Sequence, residues 1–119
     1  MQYMLLIYSD PSQQPVPGTP EFGVQMAAYG TATQTYIADK VMVAGDALQP
    51  HTTATTVRLR GGKVQTLDGP FAETKEMLGG YYVLNCPDLD AAIRYAAMIP
   101  TAGNGAVEIR PVLDLSKFR

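Results

Sequence analysis

The chain reads as an α+β protein on a ferredoxin-like split βαβ plan with an inserted β-hairpin. Three observations carry this reading. Short apolar runs near both ends and at residues 79–84 have the length and composition of strands; two capped, periodic segments between them have those of helices; and a Gly-Gly pair between extended stretches marks a hairpin.

Residues 3–8 (YMLLIY) are uniformly apolar and stop at Ser9-Asp10-Pro11, as a strand covered on both faces and ended by a turn would. Residues 11–18 hold three of the nine prolines without periodicity, a loop of the kind that rims pockets. Thr19-Pro20 is a helix start, because Thr offers a capping oxygen and Pro arrives with φ preset. Phe22, Met26, Tyr29, Thr33, Tyr36 and Ile37 then repeat at helical spacing to about Lys40. That stripe is expected to pack in the core, with Gly30 costing roughly 1 kcal/mol relative to Ala. Residues 41–48 and 53–60 read as strands joined by a loop carrying Pro50 and His51. Gly61-Gly62 turns the chain so that residues 63–67 return antiparallel. In residues 79–84 (GGYYVL) Tyr81 and Val83 face one way, Tyr82 and Leu84 the other, and both faces want cover. Pro87-Asp88 opens a second helix with Leu89, Ala92, Ile93, Ala96 and Ala97 on one face, and Pro100 ends it. Residues 107–112 make the last strand. No linker or low-complexity stretch interrupts the order, so one domain is expected over residues 1–119.

Both helices of this plan lie on one face of the sheet, yet the first strand and residues 81–84 are apolar on both. An uncovered apolar face on the order of several hundred Å² suits an interface better than a free surface, so a homodimer formed sheet against sheet is expected.

Composition narrows the function classes. A chain of 119 residues, 46% hydrophobic, buries roughly two-thirds of its unfolded surface and needs no disulfide or structural metal. Cys86 is the one cysteine, which excludes an internal disulfide and fits a reduced compartment. Nine basic and eleven acidic residues are dispersed along the chain, leaving no basic stripe for direct nucleic-acid binding. The apolar run at residues 3–8 is too short for a signal peptide or a membrane span, which makes the expected location cytoplasmic and off the membrane. One His and one Cys cannot make a zinc or iron ligand set, and the glycine pairs lack the Lys/Ser pattern that cradles phosphate, so no metal or cofactor is expected.

The run Asp68-Gly69-Pro70-Phe71-Ala72-Glu73-Thr74-Lys75-Glu76, followed by Leu78-Gly79-Gly80-Tyr81-Tyr82, closely resembles the DGPF-domain, or YCII-related, family of small bacterial proteins. The resemblance extends to residues 3–8, to residues 43–50 (VAGDALQP) and to residues 107–112 (VEIRPV), and so covers nearly the whole chain. It implies a dimeric α/β-barrel-like assembly related to the ferredoxin fold. Relatives in the wider superfamily include a dechlorinating enzyme acting on a hydroxylated aromatic ring, and some DGPF proteins are encoded with or fused to sigma factors. The wider group is known for a His/Asp pair proposed as catalytic, with the His on the first helix. This chain departs from that pattern, since residues 20–40 contain no His, and the pair is not carried over.

The candidate residues follow from their own chemistry. In the family loop Gly69 permits unusual φ, Pro70 fixes φ, and Phe71 is placed to plug the core beneath. Such stiffness would aim Asp68, Glu73, Thr74 and Lys75 at a pocket for a small polar ligand; the plainer alternative has Asp68 capping the turn and the others solvated. His51 is the one side chain that titrates near neutrality, either a general acid or base or an exposed loop residue. Asp46 lies within an apolar strand and needs a partner, for which Arg58 or Arg110 would serve; it is a structural ion pair or a pocket acid. Tyr82 is either a ligand contact or interface packing. Cys86 precedes a helix start, where a dipole favours thiolate, or is an inert thiol. Two functions from different classes fit: a cofactor-independent acid–base enzyme on a small polar or aromatic molecule, using Asp46, Asp68 and His51, or a non-catalytic dimeric ligand-binding or regulatory module associated with a sigma factor, with Thr74, Lys75 and Tyr82 as ligand contacts in either.

Overall fold

Alternation along the first strand sets the architecture of the computed structural model, which describes residues 1–72 and 74–119. In β1 (Gln2–Ser9) the odd positions Tyr3, Leu5 and Ile7 are buried while Met4, Leu6 and Tyr8 on the other face are half-buried. The strand is flanked on one side by β5 (Met77–Asn85) and on the other by β6 (Ala106–Pro111). Outside β5 lies β2 (Met42–Ala47), giving a four-stranded antiparallel sheet in the order β2-β5-β1-β6.

One face of this sheet carries both helices. Helix α1 (Pro20–Ala38) begins where expected, with Thr19 Oγ1 accepting from the Phe22 N–H at 3.3 Å. Helix α2 (Leu89–Ala96) begins at Asp88, whose Oδ1 accepts from the Ala91 N–H at 2.8 Å. Tyr3, Leu5, Tyr82, Leu84, Ala32, Tyr36, Ala91, Ala92, Ala96 and Ile99 form the core between them. Tyr36 stands at its centre, packed edge-on against Tyr82 at 5.1 Å and Tyr95 at 5.5 Å between ring centroids. Its hydroxyl donates to the Tyr95 carbonyl at 2.6 Å.

Helical spacing alone misplaced parts of both helix faces. Ile37 and Met26 are exposed, and the inward face of α1 runs instead through Phe22, Gln25, Tyr29, Ala32, Thr33 and Tyr36. On α2 the buried positions are Ala91, Ala92 and Ala96, with Leu89 and Ile93 half exposed. Small residues let this helix approach the sheet closely, so its larger side chains are the ones turned aside.

The second sheet is a hairpin arm of β3 (Thr55–Arg60) and β4 (Lys63–Asp68), turning at Gly61 and Gly62. Their φ values of 57° and 75° are what a two-residue turn of this hand demands. Opposed residues share a face, so Val57, Leu59 and Val64 lie on one side of the arm and Arg58, Arg60 and Lys63 on the other. Every residue of β4, and all of β3 except Thr56, is exposed. With the arm extended the chain forms a slab of 48 × 47 × 18 Å.

The loop after the arm corrects one expectation. Phe71 does not plug the core; it is 71% exposed and its ring sits beneath the Arg58 guanidinium at 4.8 Å. The stiffness of this loop comes instead from Gly69, at φ 105°, whose N–H donates to the Ala54 carbonyl at 2.7 Å and whose carbonyl accepts from Thr56 Oγ1 at 2.8 Å. Among the described residues no helix is long and apolar enough to cross a membrane.

Candidate functional site

Two concavities flank the sheet, and the predicted site residues are divided between them and the bare surface. The first is an open groove of about 670 Å³ bordered by Tyr8, Asp10, Thr74, Lys75, Asn104 and Glu108. Lys75 Nζ lies 3.9 Å from Asp10 Oδ2, and Thr74 Oγ1 donates to the Glu76 carbonyl at 2.5 Å. Lys75 is itself 85% exposed, and this pair contributes little in water. Hydrogen bonds from Ser12, with Lys75 a smaller influence, hold the Asp10 carboxyl below its ordinary range. Glu73, singled out with these residues, lies outside the described residues.

The second concavity is a cavity of about 420 Å³ between α1, the sheet and the proline-rich loop after β1. Phe22, Met26, Ile7, Pro15 and Met42 make much of its wall, within the range of size and polarity of small-molecule sites. Its polar groups come in pairs. Tyr82 and Thr33 bond hydroxyl to hydroxyl at 2.8 Å, Tyr29 and Thr101 make a short hydroxyl pair, and Gln25 Nε2 donates to Gln14 Oε1 at 3.1 Å. Burial pushes the Tyr29 phenol up against the opposing effect of Thr101, so at neutral pH it is a hydrogen-bonding hydroxyl and not a phenolate. In this wall Gln14 Nε2 is buried without a partner among the described residues.

Close backbone approach shapes the floor. Gly45 lies across from Tyr82 on the helix side of the sheet, and a Cβ there would come within 2.8 Å of Tyr82 Cδ1 and 3.0 Å of Met42 Cε. The space that Gly45 leaves is what the edge of the Tyr82 ring approaches.

The three titratable candidates are not gathered in either concavity. Asp46 is paired in register with Tyr81, on the face away from the helices, and its Oδ2 accepts from the Tyr81 hydroxyl at 2.8 Å. That bond raises the Tyr81 phenol above its ordinary range. Neither Arg58 nor Arg110 is the partner of Asp46; the cross-strand tyrosine is. Asp46 therefore borders the cavity from the strand that forms its floor while its carboxylate points to the opposite side. His51 and Asp68 flank the base of the arm, where Ala54 N donates to the His51 carbonyl at 3.1 Å and Ala54 O accepts from Gly69. No hydrogen bond or ion pair joins their side chains among the described residues. Tyr82 is in the cavity; Thr74 and Lys75 are in the groove on the other side of the sheet. Cys86 is buried, and burial pushes its thiol up, away from a reactive thiolate. Among the described residues no group of three or more His, Cys, Asp or Glu side chains comes together as a metal-ligand set.

Sequence reasoning missed Gln14, Gln25 and Thr101. Gln25 carried a signal, being a polar residue three positions after Phe22 on the inward stripe of α1. Gln14 and Thr101 carried none, since both lie in irregular segments brought to the cavity by the fold.

Comparison with known proteins places the chain in a family. The profile of the YCII-related domain matches residues 1–116. An uncharacterized protein of Rhizobium meliloti (strain 1021) is 33% identical over 114 residues, covering 94% of this chain and 92% of its own length. Among solved structures, the 5-chloro-2-hydroxyhydroquinone dehydrochlorinase of Burkholderia phenoliruptrix AC1100, in complex with 2,5-dihydroxybenzoquinone, aligns with 95% of this chain and 94% of its own. Its TM-score is 0.46 and its sequence identity 14%. Likeness of that order does not extend to activity.

Proposed function

The chain belongs to the YCII-related domain family, and from that premise we propose that it binds a small, largely apolar molecule in the cavity beneath α1, as a one-domain homodimer and without acid–base chemistry. The observation that carries this reading is the separation of Asp46, His51 and Asp68. General acid–base catalysis needs titratable groups within roughly 3 Å of the reacting atoms, directly or through one water. Here the cavity has hydroxyl and amide walls, and the carboxylate nearest to it is turned to the other face of the sheet. A compound that occupies the cavity raises the melting temperature and is recovered unchanged. At 100 times its Kd the stabilisation is roughly 2.7 kcal/mol, several degrees for a domain of this size. Thermal-shift screening of a metabolite panel, with mass analysis of each stabilising compound afterwards, is the test; turnover of such a compound would overturn the non-catalytic reading.

The strand order β2-β5-β1-β6, with both helices on one face, supports the ferredoxin-like plan, with the β3–β4 arm as its insert. The helix-free face supports the dimer. In register across the sheet it presents Ala44, Val83 and Met4 in one row and Tyr81 and Leu6 in the next, with Asp46, Glu108 and Arg110 only at the edges. Two such faces packed together would bury this apolar strip and give a barrel-like assembly. The exposed Val57, Leu59 and Val64 of the arm call for cover in the same way, because an isolated two-stranded hairpin is marginal in water. Sedimentation at micromolar concentration is expected to give twice the chain mass, and a monomer there would rule the dimer out.

A further inference from the structure

We infer that the cavity beneath α1 selects neutral molecules with a carbonyl oxygen, docked on the side-chain amide of Gln14. This rests on the reading of that cavity as a binding site and adds the chemistry of what enters it.

The inference starts from the orphaned donor. Gln14 follows the single turn at Pro11–Gln13, and its side chain lies against Gln25 of α1 in the cavity wall. With Gln25 Nε2 donating to Gln14 Oε1, the other half of the Gln14 amide presents its N–H donors. Those donors are buried with no partner among the described residues. Buried polar groups are nearly always satisfied, so an acceptor belongs at this position.

The rest of the wall sets the charge of that acceptor. In each hydroxyl pair, Tyr82 with Thr33 and Tyr29 with Thr101, one O–H is spent on the partner and the second remains to donate. The cavity thus offers donors from three places. Among the described residues its lining holds no Lys or Arg to neutralise an anion. A carboxylate would enter without a counter-charge and lose its hydration, whereas a ketone or ester oxygen accepts the same hydrogen bonds at little desolvation cost. The apolar side chains take the remainder of such a molecule.

Three probes of nearly equal shape separate these terms: acetophenone, ethylbenzene and benzoate, titrated into the full chain and followed by two-dimensional amide NMR. Acetophenone is expected to bind roughly ten-fold more tightly than ethylbenzene, and benzoate more weakly than acetophenone, with shifts clustered at Tyr29, Thr33 and Thr101. In Gln14→Leu the advantage of acetophenone over ethylbenzene is expected to fall to about one-fold, as one donor site is removed. Equal affinities of acetophenone and ethylbenzene for the wild type would mean that the amide is served by water, and would overturn the carbonyl assignment while leaving the cavity as a binding site. Tighter binding of benzoate would overturn it as well. Absence of binding by all three, or shifts confined to Thr74 and Lys75, would remove the cavity reading and the inference together.

Discussion

Replacing Tyr36 by alanine is expected to lower the unfolding free energy by about 3–5 kcal/mol, the range for truncating a large buried aromatic. Tyr36 is fully buried at the junction of α1, α2 and the sheet, and its ring touches both Tyr82 and Tyr95. Removing it opens a void bounded by strands on one side and small alanines on the other, neither of which can collapse into it. Tyr36→Phe separates packing from hydrogen bonding. It keeps both edge-on contacts and loses only the bond to the Tyr95 carbonyl, so a cost of about 1–1.5 kcal/mol is expected. Urea denaturation of the two variants beside the wild type measures both numbers. Equal costs for the two substitutions would show that the hydroxyl, and not the ring, holds this junction together.

Gly45→Ala is expected to cost about 1–3 kcal/mol in stability and to weaken occupation of the cavity by roughly ten-fold or more. The added methyl meets Tyr82 Cδ1 at 2.8 Å and the Tyr81 carbonyl oxygen at 3.2 Å. The backbone oxygen cannot yield, because Tyr81 is held in register on both sides, by Asp46 of β2 and Leu6 of β1. The ring yields towards the cavity, since it is already packed edge-on against Tyr36. Such a movement breaks the Tyr82–Thr33 hydroxyl pair and fills the space a ligand needs. Acetophenone titration of the alanine variant checks it, and unchanged affinity would show that Gly45 has no part in shaping the site.

Much of the fold was legible because local chemistry and global order agreed. Thr19-Pro20 and Asp88 cap the helices they were expected to cap, Gly61-Gly62 turns the arm, and the alternation of Tyr81-Tyr82-Val83-Leu84 matches the two faces of β5. The site was less legible, for a physical reason in each case. The partner of Asp46 is set by cross-strand register, and that register depends on an irregularity between Met42 and Ala44 that no residue type announces. Hydrophobicity points Phe71 to the core, but the loop that carries it leaves the arm and not the body, and its ring lies under the Arg58 guanidinium. The cavity is assembled from a proline-rich loop, a helix and a sheet floor that are distant in sequence, and of its lining the α1 residues Phe22, Met26, Tyr29 and Thr33 lay on a pattern that periodicity can find.

The most direct measurement is the thermal shift given by a cavity-binding compound to a triple variant, Asp46→Asn with His51→Ala and Asp68→Asn, compared with the wild type. The binding account predicts the same ligand-induced shift in both proteins, because none of the three side chains projects into the cavity, and the compound intact after incubation with either. Loss of the shift in the triple variant, or conversion of the compound by the wild type alone, would contradict it and return the titratable residues to the centre of the function.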